Sequence, residues 1–160
     1  MLSNVRISNV FHCFDSYAIG LVVNVNAQDV WVVYSGDTRP CPKMWNNLKH
    51  SPAPAMYSVL IHEATFDDSM KDEALKKRHS TISEAMEAAT AMHSEVVILT
   101  HFSQRYPKLP VFKTGDDEAK FLVAFDGMTI PLYEDKSQYQ VAIKALNRFL
   151  QEYELSKENN

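Results

Sequence analysis

The chain has 160 residues, enough for one domain with a sizeable core, and its 46% hydrophobic and 22% charged residues are the shares of an ordinary soluble globular protein. A formal net charge of -4 argues against a protein that coats nucleic acid non-specifically, since such binding rests on many phosphate contacts, and no apolar run approaches the roughly 20 residues that span a membrane. Two cysteines, Cys13 and Cys41, are too few for a disulfide framework and read as free thiols in a reducing compartment, while MLSNVRISNVF lacks the basic and apolar blocks of a secretory signal.

Residues 17–25 and 30–34 are rich in β-branched and aromatic side chains, and Asn26-Ala27-Gln28-Asp29 between them predicts a hairpin. The second strand, VWVVY, runs into Ser35-Gly36-Asp37-Thr38. Residues 39–56 carry Pro40, Pro42, Pro52 and Pro54 without a clear period and read as a loop, with one short helical turn near 44–48. A short apolar strand at 58–61 runs into His62-Glu63-Ala64-Thr65, and the charged segment 66–78 has weak helical character. Thr81 followed by Glu84 matches a capping box, and Ile82, Ala85, Met86, Ala89 and Met92 behind it form a core-facing stripe at helical spacing. The run 96–99 reads as a buried strand and leads directly into THFSQRYPK. Residues 121–125 and 128–133 flank Asp126-Gly127, which predicts a type I′ hairpin. Ala142, Ala145, Leu146, Phe149, Leu150 and Tyr153 predict a terminal amphipathic helix over about 137–155, with the tail SKENN frayed. With no repeat, low-complexity tract or linker, the whole of 1–160 reads as a single domain with its core over about 10–134.

Three apolar strands end in polar clusters: VWVVY in SGDT, SVLI in HEAT, and VVIL in THFS. Loops at the carboxyl ends of parallel strands collect on one edge of an α/β sheet, so Asp37, Glu63 and His101 share that edge if these strands are parallel neighbours. His12, just before the first hairpin, and His79, at the start of a helix, fall within reach of the same rim. Imidazole nitrogen and carboxylate oxygen are ordinary zinc ligands, and a histidine held by a glutamate can protonate a leaving oxygen. Spacing alone does not decide, because the chain has no HxH or HExxH and a set of structural histidines is the other reading. Lys76-Lys77-Arg78-His79 and Arg105-Tyr106-Pro107-Lys108 are basic patches that also read as solvated faces.

SGDTRPC, LIHEATF, KRHST-x-x-EA and THFSQRYPK, in this order, resemble the tRNase Z (ribonuclease Z) family of tRNA 3′-end endonucleases. The resemblance covers about residues 10–130, and VVYSGDTRPC and HFSQRYPK are most similar to the long eukaryotic form. It implies an α/β fold, the C-terminal half of a metallo-β-lactamase-type αββα sandwich, and a site with two zinc ions in the complete enzyme. It further implies that Asp37 bridges both metals, that His101 ligates one, and that His12 in FHCFDSYAIG ligates the other. Glu63 and His79 match the pair that positions and donates a proton to the leaving 3′ oxygen. Thr65, Arg78, Ser103 and Arg105 are then placed to contact the acceptor end of the RNA. The implied substrate is precursor tRNA and the implied compartment is intracellular, the nucleus or the mitochondrion, with no membrane partner.

The family's main zinc signature, HxHxDH, is absent from these residues, as are its PxKxRN-type loop and any tRNA-elbow arm. The expected architecture is therefore half of a sandwich, completed by an N-terminal half carrying HxHxDH or by a complementary subunit. Counting ligands gives one metal His12 and Asp37 and the other Asp37 and His101, short of the three usual in catalytic zinc sites, so the chain alone is expected to be inactive. The sheet face that the other half would cover is expected to be an association surface. The alternative is a non-catalytic RNA-binding or complementing partner of a tRNase Z.

Overall fold

The run VVIL lacks polar alternation because it is buried on both faces of one sheet, the arrangement parallel strands adopt, and VWVVY is buried at Val30, Trp31 and Val33 but opens to solvent at Tyr34. The computed structural model describes residues 4–103 and 120–158. In chain order the elements are β1 (Val5–Asn9), β2 (Tyr17–Val25), β3 (Gln28–Tyr34), α1 (Pro42–Leu48), β4 (Tyr57–Glu63), α2 (Lys71–Lys77), α3 (Ile82–Ala91), β5 (Val96–Thr100), β6 (Phe121–Val123) and α4 (Ser137–Glu158). The strands form one sheet in the order β1-β2-β3-β4-β5-β6. β1, β2 and β3 are antiparallel, and β3 to β6 run parallel. The register aligns Val33, Leu60, Val97 and Phe121 across the parallel strands, and all four are buried.

One face of the sheet is covered by α1 and α3. Trp31 on β3 donates its indole N–H to the Leu48 carbonyl at 2.8 Å, fixing α1 over the sheet. Gly20 on β2 makes room for that indole, since a Cβ there would lie 2.3 Å from Cζ2 of Trp31. Thr81 and Glu84 form the expected capping box on α3, whose Ala85, Ala88 and Ala89 are fully buried against the sheet. On the opposite face Tyr139 and Ile143 of α4 pack with Val59, Val96, Ile98 and Leu122. That cover does not extend to the β1 end, where Ile7 is 62% exposed and Val5, Tyr17 and Tyr34 are also open to solvent. No helix among the described residues is long and apolar enough to cross a membrane.

Several local expectations need correction. The first hairpin has a two-residue loop, Asn26-Ala27, with φ of 47° and 67°, because Gln28 and Asp29 already pair with Val25 and Asn24. The charged segment before His79 is better ordered than its weak periodicity suggests: a short 3-10 turn at Asp68–Met70 leads into α2. No second strand follows Asp126-Gly127. Pro131 has no N–H to give a ladder, and the carbonyls of Pro131 and Tyr133 are taken by the hydroxyls of Tyr139 and Tyr57. The final helix continues to Glu158, into the tail expected to fray.

Candidate functional site

β3, β4 and β5 are parallel neighbours, so the loops after them open on one edge, and the Asp37, Glu63, Thr65, His101 and Ser103 positions gather there. Gly36 sets the turn that presents Asp37. Its φ is +59°, and a Cβ would lie 2.8 Å from the Tyr17 carbonyl oxygen. His101 follows β5 in the same left-handed region, φ 62°, unusual for a residue with a side chain. Arg78 takes a left-handed C-cap at the end of α2, which turns the chain so that His79 meets the strand edge. Arg105 lies outside the described residues.

Glu63 is the hub. Its carboxylate is buried, with the residue 1% exposed, and it gathers donors from three loops. Oε1 accepts from the Thr38 amide at 2.9 Å, the Ser80 amide at 3.1 Å and His79 Nδ1 at 3.0 Å. Oε2 accepts from the Thr65 amide at 3.1 Å and the Thr65 hydroxyl at 2.7 Å. A buried carboxylate is tolerated only when so satisfied, and here the satisfaction also fixes the loops.

The same accounting sets the histidine tautomers, because an ionised carboxylate and a backbone carbonyl only accept. His79 must donate from Nδ1 to Glu63, leaving Nε2 bare. His12 must donate from Nδ1 to the Arg78 carbonyl at 2.9 Å, leaving its Nε2 bare. The Thr65 hydroxyl spends its proton on Glu63, so its oxygen accepts from His101 Nδ1 at 2.8 Å and that Nε2 is bare as well. Arg78 returns the favour to His12, donating to its carbonyl at 2.8 Å, and the Ser103 amide donates to the Thr65 carbonyl at 3.1 Å. Asp37 stands between two of the imidazoles, 3.9 Å from His12 Nε2 and 3.8 Å from His101 Nδ1. The rings of His12 and His79 lie 4.6 Å apart, and those of His79 and His101 are stacked at 5.4 Å.

The donor types fit zinc. Ligand-capable atoms of His12, Asp37 and His79 all lie within 4.8 Å of one another, as do those of Glu63, His79 and His101, so the two close groups share His79 and place the predicted ligands Asp37 and His101 in different groups. Neutral imidazoles whose far nitrogen is held by an acceptor are the usual form of a zinc-binding histidine. His62, inside the HEAT motif, is not part of the set. It is fully buried and bonded through Nδ1 to the Glu63 carbonyl at 2.6 Å. Burial holds its pKa below the ordinary histidine value, so it stays neutral.

Four contributors were not singled out from the sequence. Thr38 and Ser80 supply backbone donors to Glu63, and Arg39 and Glu84 form a bidentate ion pair at 2.5 and 2.6 Å behind the site. Burial alone would raise the Glu84 carboxyl, but the Arg39 fork and the Thr81 amide hold it below the usual carboxylate range. The capping box pointed to Glu84 only as a helix cap, and Arg39 stood in a quoted motif without a role.

A mixed sheet with a polar edge of histidines and carboxylates at the ends of its parallel strands is a metallo-β-lactamase-type arrangement. A solved Bacillus subtilis metallo-β-lactamase-fold protein, YhfI, matches with a TM-score of 0.53 at 17% identity, over 78% of this chain and 48% of that one. More specifically, the chain is related to ribonuclease Z. The long-form RNase Z from yeast superposes with a TM-score of 0.70 at 33% identity, covering 92% of this chain and 20% of that one. In sequence it is 40% identical over 159 residues to Ribonuclease Z 1 of Schizosaccharomyces pombe, covering 99% of this chain and 18% of that protein. It is 38% identical over 146 residues to the mitochondrial ribonuclease Z of Drosophila melanogaster, covering 90% of this chain and 18% of that protein. It is 40% identical over 121 residues to zinc phosphodiesterase ELAC protein 2 of Pan troglodytes, covering 76% and 13%. No family model matches the chain. The chain thus spans less than a fifth of the length of these curated relatives.

Proposed function

We propose that this chain is the C-terminal half of a zinc-dependent endoribonuclease that removes the 3′ trailer from precursor tRNA by phosphodiester hydrolysis. The observation that carries the reading is the Glu63 hub, which fixes His79 with Nε2 open beside His12, Asp37 and His101. In this reading His12, Asp37 and His101 would hold zinc, with Asp37 serving both positions, and zinc there would supply Lewis acidity toward the scissile phosphate. His79, held through Nδ1 by Glu63, takes up a proton from solvent at its open Nε2 and passes it to the departing 3′ oxygen, and Glu63 stabilises the charged ring and keeps it oriented. Thr65, Arg78, Ser103 and Arg105 bind the acceptor end of the RNA; a guanidinium suits this because its planar fork can donate two bonds to one phosphate.

His12, Asp37 and His101 leave each ion one protein ligand short of three. The remaining ligands and the HxHxDH chemistry come from an N-terminal half or a complementary subunit, and these 160 residues alone do not cleave. The same ligand count favours the second reading, a non-catalytic RNA-binding partner that complements a tRNase Z. Names of relatives such as the Drosophila enzyme point to the mitochondrion, whereas the nucleus rests only on the resemblance to the long form. The test is single-turnover cleavage of precursor tRNA by the chain combined with an HxHxDH-bearing ribonuclease Z half, alongside metal analysis. His79→Ala is expected to lower the rate by about 10²–10⁴ with zinc content unchanged. Loss of zinc with His79 would make it a ligand instead, and no cleavage by the combined wild-type halves would favour the non-catalytic reading.

A further inference from the structure

We propose that Arg39 is the positioning residue of this site, holding the loops of His12, Asp37 and His79 in register and thereby keeping Nε2 of His79 the open nitrogen. The inference rests on the reading of His79 as proton donor. Arg39 lies two residues after Asp37, and its backbone ties that loop to the one carrying His12. Its amide donates to the Phe11 carbonyl at 3.0 Å, and the Phe11 amide donates to Thr38 Oγ1 at 3.2 Å. Its side chain ties the same loop to His79. Nη1 donates to the His79 carbonyl at 2.8 Å and to Glu84 Oε2 at 2.5 Å, while Nη2 donates to Glu84 Oε1 at 2.6 Å.

The anchor on the far side is rigid. Glu84 sits in the first turn of α3, and its Oε2 also accepts from the Thr81 amide at 3.0 Å as half of the capping box. The two side chains are only 11% and 8% exposed, so water screens the pair little. Three donor bonds in one plane are what a guanidinium offers and an ammonium cannot. Without that clamp the His79 carbonyl loses the Arg39 Nη1 donor, and among the described residues the ring is hydrogen-bonded only through Nδ1, shared between Glu63 at 3.0 Å and Thr65 Oγ1 at 3.2 Å. A shift of that backbone lengthens the Nδ1 bond and lets the proton move to Nε2. The Arg39 guanidinium is engaged by the His79 carbonyl and the Glu84 carboxylate, which makes it a positioning residue, not a catalytic one.

The test is long-range ¹H–¹⁵N NMR of the imidazoles in the metal-free, 160-residue chain, which reads which ring nitrogen carries the proton. Spectra are taken well above the ordinary histidine pKa, so that tautomers and not charge are compared. In the wild type His79 is expected as one species with Nδ1–H. In Arg39→Met it is expected to become a mixture with Nε2–H. His12, whose acceptor is the Arg78 carbonyl, and buried His62 should keep their wild-type signals. Arg39→Lys should restore part of the Nδ1–H population, and Glu84→Gln, which keeps the capping box, should shift His79 less than Arg39→Met does. An unchanged His79 in folded Arg39→Met overturns the proposal. So does a change shared equally by His12 and His62, which would mark general loosening. If Arg39→Met does not fold, unchanged His79 in both Arg39→Lys and Glu84→Gln overturns it. No metal or RNA enters the measurement, so a failure of the cleavage assay above leaves this outcome standing, and the reverse.

Discussion

Replacing Glu63 with Gln keeps the shape of the hub and turns one of its two acceptor oxygens into a donor. The amide has two ways to sit. With NH₂ in place of Oε1 it would face three donors, from Thr38, His79 and Ser80. In place of Oε2 it faces only the Thr65 amide and hydroxyl, and the hydroxyl can turn to accept. The second arrangement is cheaper. It loses two bonds to a charged acceptor at about 1.5–3 kcal/mol each and regains one neutral bond of about 1 kcal/mol, a net loss of about 2–5 kcal/mol. In a chain of this size that lowers the melting temperature by about 4–20 °C. Urea titration should show the midpoint falling with the slope unchanged. The turned hydroxyl has a further consequence. Its proton now points to His101 Nδ1, which sits 2.8 Å from Thr65 Oγ1 and must become an acceptor, so His101 changes tautomer while His79 keeps the remaining oxygen. A Glu63→Gln protein as stable as the wild type within about 0.5 kcal/mol, the range of ordinary surface changes, with His101 unaltered, would refute the hub.

Stability should fall in acid in two stages. Burial lowers the folded pKa of His62 from 6.5, so the unfolded chain binds the extra proton and stability, full above that pH, declines as pH drops below it; His62→Leu should remove this stage in pH-dependent urea titrations. The folded pKa of Glu84 is also depressed, so its contribution is present above the unfolded value of 4.5 and is lost as pH falls through and below it; Glu84→Gln should shrink the second stage, to which Asp68 and Asp135, also held below the usual carboxylate range, contribute the rest. Gly20→Ala should cost about 1–3 kcal/mol in thermal or urea unfolding, since its methyl would press on the ring atoms of Trp31, which α1 holds from behind. The isolated chain should bind zinc weakly by titration calorimetry and Asp37→Ala should not, because the shared carboxylate serves both positions; equal uptake by both proteins would count against the ligand set.

The parts of this architecture legible in the sequence are those set by local period and by chain direction. VWVVY, SVLI and VVIL read as strands because they are short, apolar and rich in β-branched residues, as strands in the parallel part of a covered sheet are. Their shared direction is what makes SGDT, HEAT and THFS neighbours at one edge. β1 escaped notice because it is an edge strand whose Arg6 and Ser8 interrupt the apolar signal and whose Val5 and Ile7 remain exposed. The second hairpin was misread for the opposite reason. Asp-Gly is a strong local signal, but tertiary bonds to the carbonyls of Pro131 and Tyr133 decide where that segment goes.

Within the site the division is sharper. A sequence motif names the groups that do chemistry, because those side chains must stand at strand ends. It names one acceptor, Glu63 for His79, but not the others, which are far away along the chain. His12 finds its carbonyl at Arg78, 66 residues on, and His101 finds Thr65, 36 residues back. Arg39 and Glu84, 45 residues apart, each already had a local explanation, one as part of a turn motif and one as a helix cap. Nothing local required a second role for either. Yet these remote acceptors decide which nitrogen each histidine presents, and a bare Nε2 can hold a metal whereas a protonated one cannot. A chain that kept Asp37 and every histidine of the edge but lost Glu63, Thr65 or Arg39 would keep its metal-binding groups and lose their preparation.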